Sequence, residues 1–199
     1  MKPTTEKKDT VREEILEASR GLFQKFGLDK TTMEDIAEAA GKGKSTLYYY
    51  FKSKEDVFYA VASAEMRKAT DEIALAVSAC KSSTEKMLAF FKTRADILSS
   101  KAKLYPIIFK EQKKHIEFFH KIQRETNMTE ITLLKEILLK GIASGEFKSI
   151  KKEECDALAI TGVTALHGMY TNLILEGEEI PSETDKMNLM ARIFVRGLK

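Results

Sequence analysis

Proline is scarce in this 199-residue chain, with three in all, and between Lys44 and Tyr105 there is neither proline nor glycine. A β-rich fold needs turn signals about every 8–12 residues, so sandwiches and barrels are excluded. No apolar run approaches the roughly 18 residues that a membrane-spanning helix requires. The first ten residues are polar and lack an apolar stretch, which argues against a secretory signal. Cysteine is nearly absent too: Cys80 and Cys155 stand alone, with no C-x-x-C pattern. That usage suits a reducing compartment and provides neither a disulfide framework nor a zinc knuckle. The expectation is a cytoplasmic, all-helical protein without a metal or other cofactor.

Apolar residues make up 43% and charged residues 32%, a globular balance rather than a disordered one. The net charge of +3 says little, but its distribution says more. Residues 1–60 hold 11 Lys/Arg and 11 Asp/Glu, yet residues 39–54 carry Lys42, Lys44, Lys52 and Lys54 and no acid. The balancing acids stand on flanking segments, among them Glu13, Glu14 and Glu17. A basic stretch beside an acidic one prepares one face for an anion. Between Glu176 and Asp185, five acids without a base read as a solvated loop.

Hydrophobic spacing lays out the helices. Ile15, Ala18, Leu22 and Phe26 form one stripe of a helix over 11–26, which Gly27 ends. Thr31 or Thr32 caps a short second helix whose inward face is Ile36, Ala37 and Ala40, closed by Gly41. A third runs over 44–51, and Ser53 with Asp56 caps a fourth reaching Ala79. A break at Ser82–Ser83 precedes a helical bundle, in which Arg94 interrupts an apolar stripe and Pro106 opens a helix. Phe109, Gln112, Ile116, Phe119, His120 and Gln123 share one side of that helix. Ile131, Leu134, Ile137 and Leu138 form the next stripe, closed by Gly141 and Gly145. Over 155–175 two opposed apolar faces appear, Leu158, Ala165, Met169 and Leu173 against Ile160, Val163, His167 and Ile174. A helix apolar on both sides must be covered on both. A final helix over 183–198 carries Met187, Met190, Ala191, Phe194 and Leu198.

The segment from Met33 to Lys52 fits a helix-turn-helix. A small Ala37 lets two helices cross closely, Gly41 makes the tight turn, and Leu47 joins them. The second helix then exposes Lys44, Ser45, Thr46, Tyr48 and Tyr49, side chains able to meet phosphates and base edges in a major groove. The runs T-M-E-D-I-A-E-A-A-G (32–41) and K-S-T-L-Y-Y-Y-F-K-S-K-E (44–55) resemble the TetR family of bacterial transcriptional regulators, over about residues 9–60. The resemblance implies a three-helix DNA-binding domain over 1–53. It also implies a ligand-binding and dimerisation domain over 54–199, with a homodimer formed by the helices near 155–175 and 183–198. By position it implies DNA contacts from Thr32, Lys42, Lys44, Ser45, Thr46, Tyr48, Tyr49 and Lys54. Lys42 stands where the family usually has an aliphatic residue, and Ser45 where glycine is frequent, which puts the operator sequence in doubt. Tyr50 is read as packing.

Other chemistries are weaker. Glu117 and His120 form one Glu-x-x-His, but carboxylate-bridged metal bundles need two such motifs and further glutamates, and the chain has three histidines. No nucleophile motif or phosphate-cradling glycine loop occurs, so no enzyme activity is expected. Phe91, Phe109, Gln112, Phe119, His120 and Tyr170 are the candidate lining of an effector site, a mostly apolar cavity with a few polar anchors. The expectation is a dimeric repressor that binds a palindromic operator and is released by a small molecule. The alternatives are a helical adaptor that binds no DNA, or a metal-binding bundle at Glu117 and His120.

Overall fold

Residues 5–104, 111, 115–176 and 185–199 are described by the computed structural model, and every regular element among them is helical. In chain order these are α1 (Thr5–Lys30), α2 (Met33–Ala39), α3 (Lys44–Tyr50), α4 (Lys54–Ser78), α5 (Ser83–Leu104), α6 (Ile116–Ala143), α7 (Cys155–Glu176) and α8 (Asp185–Leu198). A single 3-10 turn, Lys152–Glu154, leads into α7. The all-α class read from the sequence holds. Among the described residues no helix is long and apolar enough to cross a membrane. Pro106, Phe109 and Gln112 lie outside the described residues, as does most of the acidic stretch after Glu176.

The chain forms two compact units. The first comprises Met1–Glu65 and Leu104–Ile122. Its core is built from Ile15, Phe23, Ile36, Leu47, Val57 and Phe58, with Phe23 and Phe58 meeting edge to face at 5.0 Å between ring centroids. Such a pair adds about 0.5–1.5 kcal/mol beyond its buried area. Gly27 is the break expected in α1: its φ of 79° and ψ of −177° are not helical and kink α1 before its last residues, which run on to Lys30.

The second unit comprises Met66–Lys103 and Gln123–Lys199. Its core takes Ile73 and Val77 from α4, Met87, Phe90 and Phe91 from α5, Leu134, Ile137 and Leu138 from α6, and Ala159, Val163 and Leu166 from α7. Ala191, Val195 and Leu198 of α8 complete it, and Phe194 meets Phe91 at 5.6 Å. Glu146 caps α5 by accepting the N–H groups of Ser83 and Thr84, both at 2.9 Å. Those two bonds hold its carboxyl below the ordinary range.

Three details differ from the sequence reading. Gly141 does not end its helix; α6 passes through it to Ala143, and the left-handed residue after the end is Gly145, at φ 75°. On α7, Val163 and His167 are buried but Ile160 is 51% exposed, because the inward face is carried by Cys155, Ala159, Val163 and Leu166. His120, expected as the polar anchor of an enclosed site, is exposed on α6, as is Glu117.

Candidate nucleic-acid interface

The turn between α2 and α3 is fixed by local chemistry at both ends. Thr32 Oγ1 accepts the Asp35 N–H at 3.1 Å, and Asp35 Oδ2 accepts the Thr32 N–H at 2.8 Å, a reciprocal capping box that starts α2. The Thr32 hydroxyl, donating to Asp35 Oδ2 at 2.7 Å, and the Thr32 N–H together hold the Asp35 carboxyl below its ordinary value. At the other end Gly41 adopts φ 61°, a region that side chains disfavour, while the Lys42 N–H reaches the Ala37 carbonyl at 2.9 Å. Gly43 then caps α3, its carbonyl accepting from Thr46 and Leu47 at 3.0 and 3.1 Å.

Within seven residues α3 sorts its side chains sharply. Leu47 is wholly buried beside Ile36 and Ala37 in the unit-one core. Tyr48 and Tyr49 are 49% and 64% exposed, and Lys44 and Ser45 are exposed beside them. Thr46 is half-buried. Tyr50 packs partly into the core, with its ring edge-on to Tyr49 at 5.1 Å. Phe51 turns inward as the C-cap in an extended conformation, and Arg12 stacks over its ring at 5.5 Å.

The lysines of the acid-free stretch find partners on neighbouring segments. Lys42 Nζ lies 2.5 Å from Glu14 of α1, and Lys44 Nζ 2.8 Å from Glu34 of α2. The hydrogen bond between Lys44 and Glu34 raises the one group's pKa and lowers the other's, so the pair stays ionised. Lys54, expected at a phosphate, donates Nζ to the carbonyls of Leu28 and Asp29 at 2.9 and 3.0 Å. Lys52 is exposed.

Residues that sequence reasoning missed complete this corner. Glu111 accepts the Leu28 N–H at 2.8 Å and the Asp29 N–H at 3.3 Å, and His115 Nε2 lies 3.1 Å from Asp29 Oδ1. The backbone after Gly27 is thus gripped on its carbonyls by Lys54 and on its N–H groups by Glu111. Thr31 adds a bond from Oγ1 to the Gly27 carbonyl at 2.6 Å. Of the candidate effector residues, Phe91 is buried in the second unit and His120 is exposed. The side chains of Phe119 and Tyr170 lie outside the described residues.

Known proteins agree with this geometry. Residues 15–61 match the model of bacterial regulatory proteins of the tetR family. The chain is 24% identical over 197 residues to the transcriptional regulator QacR of Staphylococcus aureus, covering 94% of this chain and 98% of that one. It is 42% identical over 57 residues to the uncharacterised regulator YfiR of Bacillus subtilis, a match spanning 29% of this chain but only 28% of that protein's length. A transcriptional regulator from Cytophaga hutchinsonii superposes with a TM-score of 0.72 at 27% identity, over 92% of this chain and 96% of its own. The segment over residues 15–61 is therefore a helix-turn-helix of the tetR type, and the chain as a whole resembles transcriptional regulators built on it.

Proposed function

We propose that this chain is a dimeric repressor that sets α3 into the major groove of a palindromic operator and leaves it when a small molecule binds the second unit. The observation that carries the reading is the division of α3. One fully buried leucine fixes the helix, and Lys44, Ser45, Tyr48 and Tyr49 point away from the core. Thr32, Lys42 and Thr46 flank that surface, and the hydroxyls and ammonium groups suit phosphate and base-edge contacts. A dimer is supported by the outward faces of the last two helices. Ile160 on α7 and Leu189, Met190 and Ile193 on α8 are each about half exposed, apolar surface that a partner subunit would cover. A two-fold dimer presents two α3 helices, so half-sites repeat at whole helical turns of about 34–36 Å.

Selection of bound duplexes from a random library at near-physiological salt tests this directly. Enrichment of a palindrome is the expected result. Continued absence of enrichment, after ligand is stripped by unfolding and refolding, would overturn it in favour of a helical adaptor.

For Lys54 we infer a positioning role in place of a phosphate contact, because its ammonium is already held by two carbonyls. Lys54→Met should reduce stability by about 1.5–3 kcal/mol, the scale of hydrogen bonds to a charged group. The salt dependence of DNA binding should stay unchanged. A stable variant whose log–log salt slope is shallower by about one would restore the phosphate contact.

A further inference from the structure

A carboxylate stands on the face proposed to meet DNA. Glu34 is the second residue of α2, and its side chain is 56% exposed. Its Oε1 lies 2.8 Å from Nζ of Lys44, the first residue of α3, whose side chain is 64% exposed. The carboxylate therefore shares the open surface on which Lys44, Ser45 and Tyr48 are displayed. Its neighbour Asp35 is committed to the Thr32 cap, so Glu34 is the acid of that first turn left to face outward. An acid on such a surface repels every phosphate it approaches. It weakens binding to all sequences alike unless a base compensates it.

The pair has the polarity of one base pair. In the major groove guanine presents N7 and O6 as acceptors, and cytosine presents its N4 amino group as a donor. O6 and N4 are hydrogen-bonded to each other, so they lie side by side at about 2.9 Å, and the second N4 hydrogen points into the groove. Nζ of Lys44 and Oε1 of Glu34 also lie side by side, donor next to acceptor. Laid against a G·C pair, the ammonium meets O6 and N7 while the carboxylate meets the N4 hydrogen. An exposed ion pair contributes little by itself, so the two side chains can exchange each other for these base partners at small cost. Other base pairs fit worse. C·G sets donor against donor and acceptor against acceptor, and A·T inverts the central donor and acceptor in the same way. T·A keeps that central order but places the thymine methyl where N7 would receive Lys44.

We propose that Glu34 is a specificity-determining residue that, with Lys44, selects one G·C base pair in each half-site: Lys44 donates to guanine O6 and N7 while Glu34 accepts from cytosine N4. The assignment rests on the DNA-reading role of α3 proposed above and names a base pair within it.

The test selects duplexes from one random library with the full-length protein and with its Glu34→Ala, Glu34→Gln and Lys44→Ala variants. The wild-type motif should carry a fixed G·C pair in each half-site. Glu34→Ala should relax that position and leave the rest of the motif unchanged. Glu34→Gln, whose carboxamide pairs with adenine N6 and N7, should admit adenine in place of the cytosine. On the selected operator, exchanging the pair for C·G in one half-site should weaken wild-type binding about ten-fold or more, the scale of one mismatched pair. Glu34→Ala should shrink that penalty at least about three-fold. Replacing the guanine by 7-deazaguanine, which lacks the N7 acceptor, should weaken the wild type and leave Lys44→Ala unaffected. A motif that survives Glu34→Ala, with affinity raised for all sequences, would show that Glu34 only neutralises Lys44 and overturns the assignment alone. Equal loss of binding to all sequences in both Glu34 variants would mark a role in the fold and overturns it too. No motif from the ligand-stripped wild type overturns DNA reading itself, and this assignment with it.

Discussion

Glu130→Leu should lower the stability of the second unit by about 3–5 kcal/mol, the scale of breaking a buried ion pair. The loss comes less from the missing attraction than from Arg94, whose guanidinium is 11% exposed and would be parted from its carboxylate. A thermal midpoint lower by about 10 °C or more is the corresponding readout. Replacing both partners, Arg94→Met with Glu130→Leu, should recover most of the loss, because neither charge is then left buried. A double variant as unstable as the single one would show that packing, not charge, sets the effect. The acid limb of stability carries a second signature. Burial is the largest single influence on Glu130 and raises its pKa, but His167 and Arg94 together outweigh it and hold the carboxyl below its ordinary 4.5. A carboxyl whose folded pKa is depressed contributes stability that is present above the unfolded value and lost as pH falls through the folded one. The parent protein should therefore lose stability on acidification below its ordinary value, and Glu130→Gln should lack that component.

Gly141→Ala should be nearly as damaging, at about 3 kcal/mol, for a reason of space rather than charge. A Cβ on Gly141 would fall within the Phe147 ring, against its γ, δ2 and ε2 carbons. The ring has nowhere to go. It is 2% exposed in the unit-two core, and the Phe147 N–H is bonded to the Gly141 carbonyl at 3.0 Å. Gly21→Ala is the internal control: it lies in α1, and a methyl added there would meet nothing within 4 Å. That substitution should be neutral or stabilise by up to about 1 kcal/mol through helix propensity. Chemical denaturation of the two variants side by side checks both, and equal midpoints would refute the steric account.

The same glycine shows which parts of the fold are legible in the sequence. A helix stop and a site of close approach both call for glycine. Gly27 and Gly41 act through their own backbone angles, so local reading places them correctly. Gly141 acts through a ring six residues on, which no periodicity encodes. Caps behave like Gly27: Thr32 with Asp35, and Ser53 with Asp56, close over three residues, within reach of spacing arguments. Glu111 is different, because it meets Leu28 and Asp29 from 83 and 82 residues away. Arg94 is visible as a charge interrupting an apolar stripe, but its meaning depends on Glu130, 36 residues on. The histidines make the same point. A helical wheel groups His120 with apolar neighbours without telling which side faces inward; the exposed ring is His120 and the buried one is His167.

The internal pairing of Lys42 and Lys44 bears on how such a protein would find its target. A genome offers about 10⁶–10⁹ competing sequences, and unselective capture by their phosphates scales with the unpaired positive charge a protein displays. On the proposed reading, Glu14 and Glu34 offset these lysines and residues 1–60 sum to zero, so the α2–α3 corner would approach DNA with little net charge. Only a duplex that rewards the exposed tyrosines and hydroxyls would draw the lysines off their carboxylates. Time otherwise spent bound to irrelevant sequence would then be shortened, at the expense of raw affinity.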